Sequence, residues 1–246
     1  MPGAGAGATT VVHPRLPPRR RTTRADRWWG KAWVRAVEES AYAEADLVAG
    51  RSLARSGRVG AIEVGPGSAV TVVEDRGGRW RVEVAVPVLD DAGADALVET
   101  VAAQSGRVTS LLAGDLPHEL VEHAEEAGVE LLPYGGELET TCSCEGWVDP
   151  CVHALAVLHQ LTWLLEADPF VLLHLRGTGR EELLARLHAR TPAAAGGGDG
   201  DGDAEPDHDD LTTAYDAAAR AARLLELVAG VEEGPGGGPP DIDHLL

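Results

Sequence analysis

The chain has 246 residues, with 21 Lys and Arg against 40 Asp and Glu, a formal net charge of −19, and is 44% hydrophobic but only 4% aromatic. A chain of this length buries a core without disulfide staples, and no run reaches the ~18 consecutive apolar residues of a membrane span. The first 30 residues hold no apolar segment of signal-peptide length and the cysteines number three, so a reducing cytoplasmic setting is the expectation.

Residues 1–36 hold eight cations, Arg15, Arg19, Arg20, Arg21, Arg24, Arg27, Lys31 and Arg35, against Asp26 alone; this stretch carries +7 and the remainder −26. Residues 1–24 mix Gly, Pro and Arg without apolar periodicity, the composition of a disordered basic arm. An α+β domain is expected over 25–134. Trp29, Trp33 and Val37 stand four apart with Trp28 beside them, which predicts a helix through about Ser40. Guanidinium groups interleaved with tryptophans suit phosphate contact and base stacking, so Arg19, Arg20, Arg21, Arg24 and Arg27 are candidate nucleic-acid contacts. The bland alternative is a tail followed by a core helix, and the acidic remainder of the chain repels a polyanion.

From Arg58 to Val88, short β-branched runs are split by Gly-Pro-Gly and Arg-Gly-Gly, predicting a three-stranded antiparallel meander. Val82, Val84 and Val86 alternate with more polar residues, so one face of the third strand turns to the core. Helices are predicted at Ala94–Gln104 and Pro117–Ala127, and short strands around Val129–Leu132 and Glu137–Thr141. Val152–Glu166 reads as a strong helix, and Asp168-Pro169 opens another. His118, His123, His159, His174 and His188 read as surface helix positions. Residues 191–210 form an acidic, Gly-rich stretch with the composition of a solvated linker. Asp199, Asp201 and Asp203 mimic the start of a calcium loop whose later positions do not match. A C-terminal helix over about 211–230 and a loose tail over 231–246 complete the expectation.

All three cysteines fall in the stretch Cys142-Ser143-Cys144-Glu145-Gly146-Trp147-Val148-Asp149-Pro150-Cys151-Val152-His153, the pattern C-x-C-x(6)-C-x-H. Cys142 and Cys144, two apart at a strand end, point to one face while Ser143 points away. Six residues with a Gly and helix starters suffice to bring Cys151 and His153 opposite them. Zinc takes four such N and S donors tetrahedrally, so one Zn²⁺ ion is expected. Residues two positions apart in a regular helix, such as Cys151 and His153, point about 200° apart around its axis, so the helix must begin at Cys151 or just after it. Four protein donors leave no position for a catalytic water, which makes the site structural and the chain no zinc hydrolase. Buried structural cysteines, a dithiol switch between Cys142 and Cys144, and copper(I) are the competing readings.

This pattern, followed by an Ala/Leu/Val helix, resembles the SWIM zinc finger. Trp28-Trp29, GRSLARSGRV from Gly50, the strands ending in WRVEVAVP, LLAGDLP at Leu111–Pro117 and DPFVLLHLRG at Asp168–Gly177 resemble bacterial SWIM zinc-finger proteins over about residues 25–190. The resemblance implies a finger with following helices over 135–190, with Cys142, Cys144, Cys151 and His153 as zinc ligands in a β-β-α arrangement. Trp147 matches an aromatic commonly found inside the finger. Val152 stands where the family often has lysine, removing a positive charge that could touch phosphate. The family is regarded as a DNA- or protein-binding module, its bacterial members often associated with helicase-like ATPases of the SWI/SNF type; the resemblance implies such a partner. The expected fold class is α+β, a small antiparallel sheet packed with helices plus the finger and disordered tails. The expected function is a non-enzymatic zinc-binding adaptor, with direct DNA binding through the basic arm or a thiol/zinc redox regulator as alternatives.

Overall fold

The computed structural model describes residues 9–20, 25–144 and 146–195. The acidic stretch beyond Ala195, the expected C-terminal helix and tail, and Arg21 and Arg24 lie outside the described residues. The fold is α+β. Five strands form one antiparallel sheet in the order β1-β2-β3-β4-β5: β1 Val11–His13, β2 Ile62–Gly65, β3 Ser68–Asp75, β4 Gly78–Ala85 and β5 Glu139–Cys142. The predicted meander is β2-β3-β4. Gly67 closes its first turn at φ +73°, a backbone conformation that favours glycine. Alternation works as expected in β4, where Val82 and Val84 are fully buried while Arg79 and Arg81 are exposed.

Eight α-helices are described: α1 Trp28–Ser40, α2 Glu44–Arg55, α3 Asp91–Ala102, α4 Ser105–Leu112, α5 His118–Glu126, α6 Val152–Ala167, α7 Phe170–Leu175 and α8 Arg180–Ala195. Helix α6 is the hub. It is buried on nearly every side, from Ala154 to Thr162, because it packs against α1, α2 and the sheet at once. A helix apolar all round can only be an interior helix. Helix α1 lays Trp29, Trp33 and Val37 on it, and the indoles satisfy their N–H groups inside the fold. Trp29 Nε1 donates to the Leu165 carbonyl at 2.9 Å and Trp33 Nε1 to that of Leu158 at 3.1 Å. Trp28 Nε1 reaches the Leu116 carbonyl at 2.8 Å. These tryptophans are core and helix-packing residues, so no stacking platform forms on α1.

Several expectations are corrected. Residues 9–20, expected inside a disordered arm, pack on the domain: β1 pairs with β2, Val12 opposite Glu63, and the Arg19 amide donates to the Arg55 carbonyl at 2.9 Å. The backbone of a short Val-Val-His run finds partners on a sheet edge that local composition does not announce. Val129–Leu132 is not a strand. Its Val129 amide caps α5 through the Ala124 carbonyl, and the Glu130 carbonyl accepts from the Arg176 guanidinium at 2.7 Å, so its backbone groups are committed elsewhere. The segment expected to start a linker at Thr191 continues α8 to Ala195. His159 is buried at 6% exposure rather than on the surface. No domain boundary falls at residue 134, because β5 joins the same sheet as β2-β3-β4 and α6 is the centre of the shared core. Helices α2 and α4 had no predicted counterpart.

Candidate metal centre

Strand β5 pairs with β4 so that Cys142 stands opposite Val82, on the core side of the sheet. Ser143 turns to the other side and is locked there: its amide donates to the Arg81 carbonyl at 2.9 Å, and its hydroxyl accepts from the Arg81 amide at 2.8 Å. Cys144 is thereby returned to the face of Cys142. After the connecting loop, whose Asp149 carboxylate accepts from the Thr140 hydroxyl of β5, Cys151 is the N-cap of α6 with extended backbone at φ −77° and ψ 171°. Val152 is the first helical residue. The helix start anticipated from geometry is realised, and Cys151 and His153 both face the pair on the strand.

The donor atoms of Cys142, Cys144, Cys151 and His153 all lie within 4.8 Å of one another. Cys144 Sγ is 3.5 Å from Cys151 Sγ, and His153 Nδ1 is 3.9 Å from the sulfurs of both Cys142 and Cys151. Bonds of about 2.3 Å to sulfur at tetrahedral angles place sulfurs roughly 3.8 Å apart, so a single zinc ion fits this donor set. With zinc bound, these residues supply four N and S donors and the ion crosslinks strand to helix.

Electrostatics prepare the sulfurs unevenly. Burial pushes the Cys142 thiol up to about 12, and burial likewise raises Cys151. For Cys144 burial also opposes ionisation, but hydrogen bonds involving His153, Cys142 and the Gly146 amide prevail and bring it down to about 7. Metal loading must therefore displace protons from buried thiols. On the far side of the imidazole, His153 Nε2 lies 2.9 Å from Asp75 Oδ2. The His153 hydrogen bond is the first cause holding the Asp75 carboxyl below its usual range, followed by those from Trp80 and Gly77. Asp75 escaped the sequence reading: in Glu-Asp-Arg-Gly-Gly it looks only like a turn residue, and nothing local points to a partner 78 positions away.

The basic candidates are placed differently. The Arg19 guanidinium lies 4.2 Å over the Trp163 ring. Arg27 pairs with Asp115 at 3.2 Å and lies 5.4 Å from the Trp29 ring. Arg20 is exposed.

Residues 127–161 match the family model of the SWIM zinc finger, and the match contains all four donors. The chain carries a SWIM zinc finger. The segment from the end of α5 to the middle of α6 is thus the finger, and its strand belongs to the sheet of the whole domain. The chain is also similar to the uncharacterized protein Rv2102 of Mycobacterium tuberculosis (strain ATCC 25618 / H37Rv), 30% identical over 167 residues, which is 67% of this chain and 60% of that protein. No solved structure matches. Among the described residues, no helix is long and apolar enough to cross a membrane.

Proposed function

We propose that this chain is a non-enzymatic interaction module, its fold held by structural zinc, acting as an adaptor for a DNA-acting, helicase-like ATPase of the SWI/SNF type. The observation that carries the reading is Trp147. It sits on the loop between the two ligand pairs and is fully exposed, although both ends of that loop are fixed to the metal site. Full exposure of the largest apolar side chain on a pinned loop is costly in isolation and useful in an interface, where tryptophan is among the residues that dominate binding energy. Four protein donors fill zinc's tetrahedral shell, which argues against chemistry at the metal. A net charge of −19 disfavours a polyanion as the primary ligand. Arg19 and Arg27 support the same view, since their guanidinium groups are engaged within the chain. The association with a helicase-like ATPase rests on the SWIM resemblance.

The test is fluorescence anisotropy of zinc-loaded protein with labelled single- and double-stranded DNA across salt, beside titration with a purified SWI/SNF-type ATPase. The adaptor reading expects binding to the ATPase that Trp147→Ala weakens, and little binding to DNA alone. Micromolar or tighter DNA binding with a steep salt slope, lost in Arg20→Ala, would instead make the chain a nucleic-acid module.

A further inference from the structure

The Asp75 carboxylate is held in place by groups other than His153. Its Oδ1 accepts from the Gly77 amide at 2.7 Å and from Trp80 Nε1 at 3.0 Å, both within the β3–β4 hairpin. That leaves Oδ2 pointing at His153 Nε2, 2.9 Å away. A carboxylate only accepts, so the imidazole must carry its proton on Nε2. Nδ1, the nitrogen that faces the sulfurs, is then the one with a free lone pair. The Trp80 ring lies 5.7 Å from the imidazole, centroid to centroid, at an interplanar angle of 34°, flanking it on the side of the hairpin.

The structure assigns Asp75 as the positioning residue of the zinc site: it fixes His153 in the Nδ1-ligating tautomer and makes the β3–β4 hairpin part of a finger whose ligands all lie beyond residue 141. The inference rests on zinc occupying the four-donor site. Asparagine cannot replace Asp75, because one of its two terminal atoms is an NH₂. That group would face either the Nε2 proton of His153 or the N–H groups of Gly77 and Trp80, donor against donor. Partners of this kind hold ring orientation and raise ligand basicity, and their loss lowers metal affinity roughly 10- to 100-fold.

The decisive experiment is a double-mutant cycle in zinc affinity, measured on the full chain by competition with a chelating dye. Asp75→Ala and Asp75→Asn are each made in the wild-type chain and in His153→Cys. A thiolate at 153 has no second nitrogen to orient, and Zn–S bonds of about 2.3 Å against Zn–N of about 2.0 Å let it reach a similar metal position. The expected result is a loss of roughly 10- to 100-fold in wild type that disappears in the His153→Cys background. A loss that persists there would mean that Asp75 supports the hairpin and not the imidazole, and no loss in either background would also overturn the assignment. If His153→Cys fails to hold zinc, ¹⁵N shifts of the His153 ring in the zinc-loaded wild type decide. A protonated Nε2 hydrogen-bonded to Asp75 supports the assignment, and a metal-bound Nε2 overturns it. Wild-type protein that binds no zinc would remove the metal-site reading itself, a failure distinct from tight zinc binding indifferent to Asp75.

Discussion

Gly50 of α2 crosses α6 at Leu155 so closely that a Cβ on residue 50 would stand 2.7 Å from the Leu155 Cβ and 3.3 Å from its carbonyl carbon. Neither atom is the free end of a flexible side chain. Alanine would gain about 1 kcal/mol in helix propensity, but wedging the helices apart costs roughly 1–3 kcal/mol. Gly50→Ala is therefore destabilising on balance by about 1 kcal/mol. Because α6 begins at the ligands, zinc affinity should fall with it. Thermal melts and dye competition read the two effects, and a stabilised Gly50→Ala would show that the crossing relaxes freely.

Removing one donor should open the finger. Cys142→Ser, Cys151→Ser or His153→Ala, like chelation, is expected to abolish stoichiometric zinc binding, because roughly 10 kcal/mol or more of binding free energy is coupled to ordering such sites. Hydrogen exchange should then accelerate in β5 and the loop before α6, while the Trp29–Leu165 contact stays protected by the core. Tight zinc binding by Cys142→Ser would contradict the closed four-donor site.

His159 gives the fold an acid limit that does not involve the metal. Burial, with a smaller contribution from the Arg51 charge, lowers its pKa from 6.5 to about 4. Between those values the unfolded chain takes up a proton that the folded chain refuses. Stability from this group is thus complete above pH 6.5, is lost as pH falls toward 4, and levels off below that. The loss is on the order of 3 kcal/mol. His159→Leu should flatten the melting temperature over this window, and an unchanged slope would assign the acid sensitivity to other groups.

Trp147→Ala should leave stability within about 0.5 kcal/mol, since the ring is fully exposed. A large drop in melting temperature would mean that the indole packs on the finger and is not held out for a partner.

Truncation of residues 1–24 is a poor test of a basic arm. It removes β1, the Arg15 Nε hydrogen bond to the Gly57 carbonyl at 2.6 Å, and the Arg19 guanidinium over Trp163. Each such contact is worth roughly 1 kcal/mol, so the truncated chain should melt measurably lower. Arg20→Ala, at an exposed position, should not. Equal melting of truncated and full chains would return these residues to the status of a free arm.

Much of the fold follows from local pattern. The Trp29-Trp33-Val37 stripe, the turns of the β2-β3-β4 meander and the long apolar run after Cys151 each encode their element within a dozen residues or so. The candidate metal donors were legible for the same reason, since the four lie in one short stretch and their chemistry restricts what the spacing can mean. Helix α4, with two buried residues, Arg107 and Leu111, carries a weaker stripe, and α2 has no side-chain N-cap to announce it.

The amino-acid sequence by itself determined the four candidate zinc donors, the start of α6 just after Cys151 and the α+β character of the chain, because each depends on residues close in sequence and on periodicities of two or 3.6. Only the tertiary structure decided that residues 9–20 join the sheet, that the tryptophans of α1 are buried against α6, and that Asp75 faces His153. These are pairings between backbone edges, helix faces and turn side chains far apart along the chain. Their partners are chosen by which surfaces the core brings together, a quantity that no local window of the sequence contains.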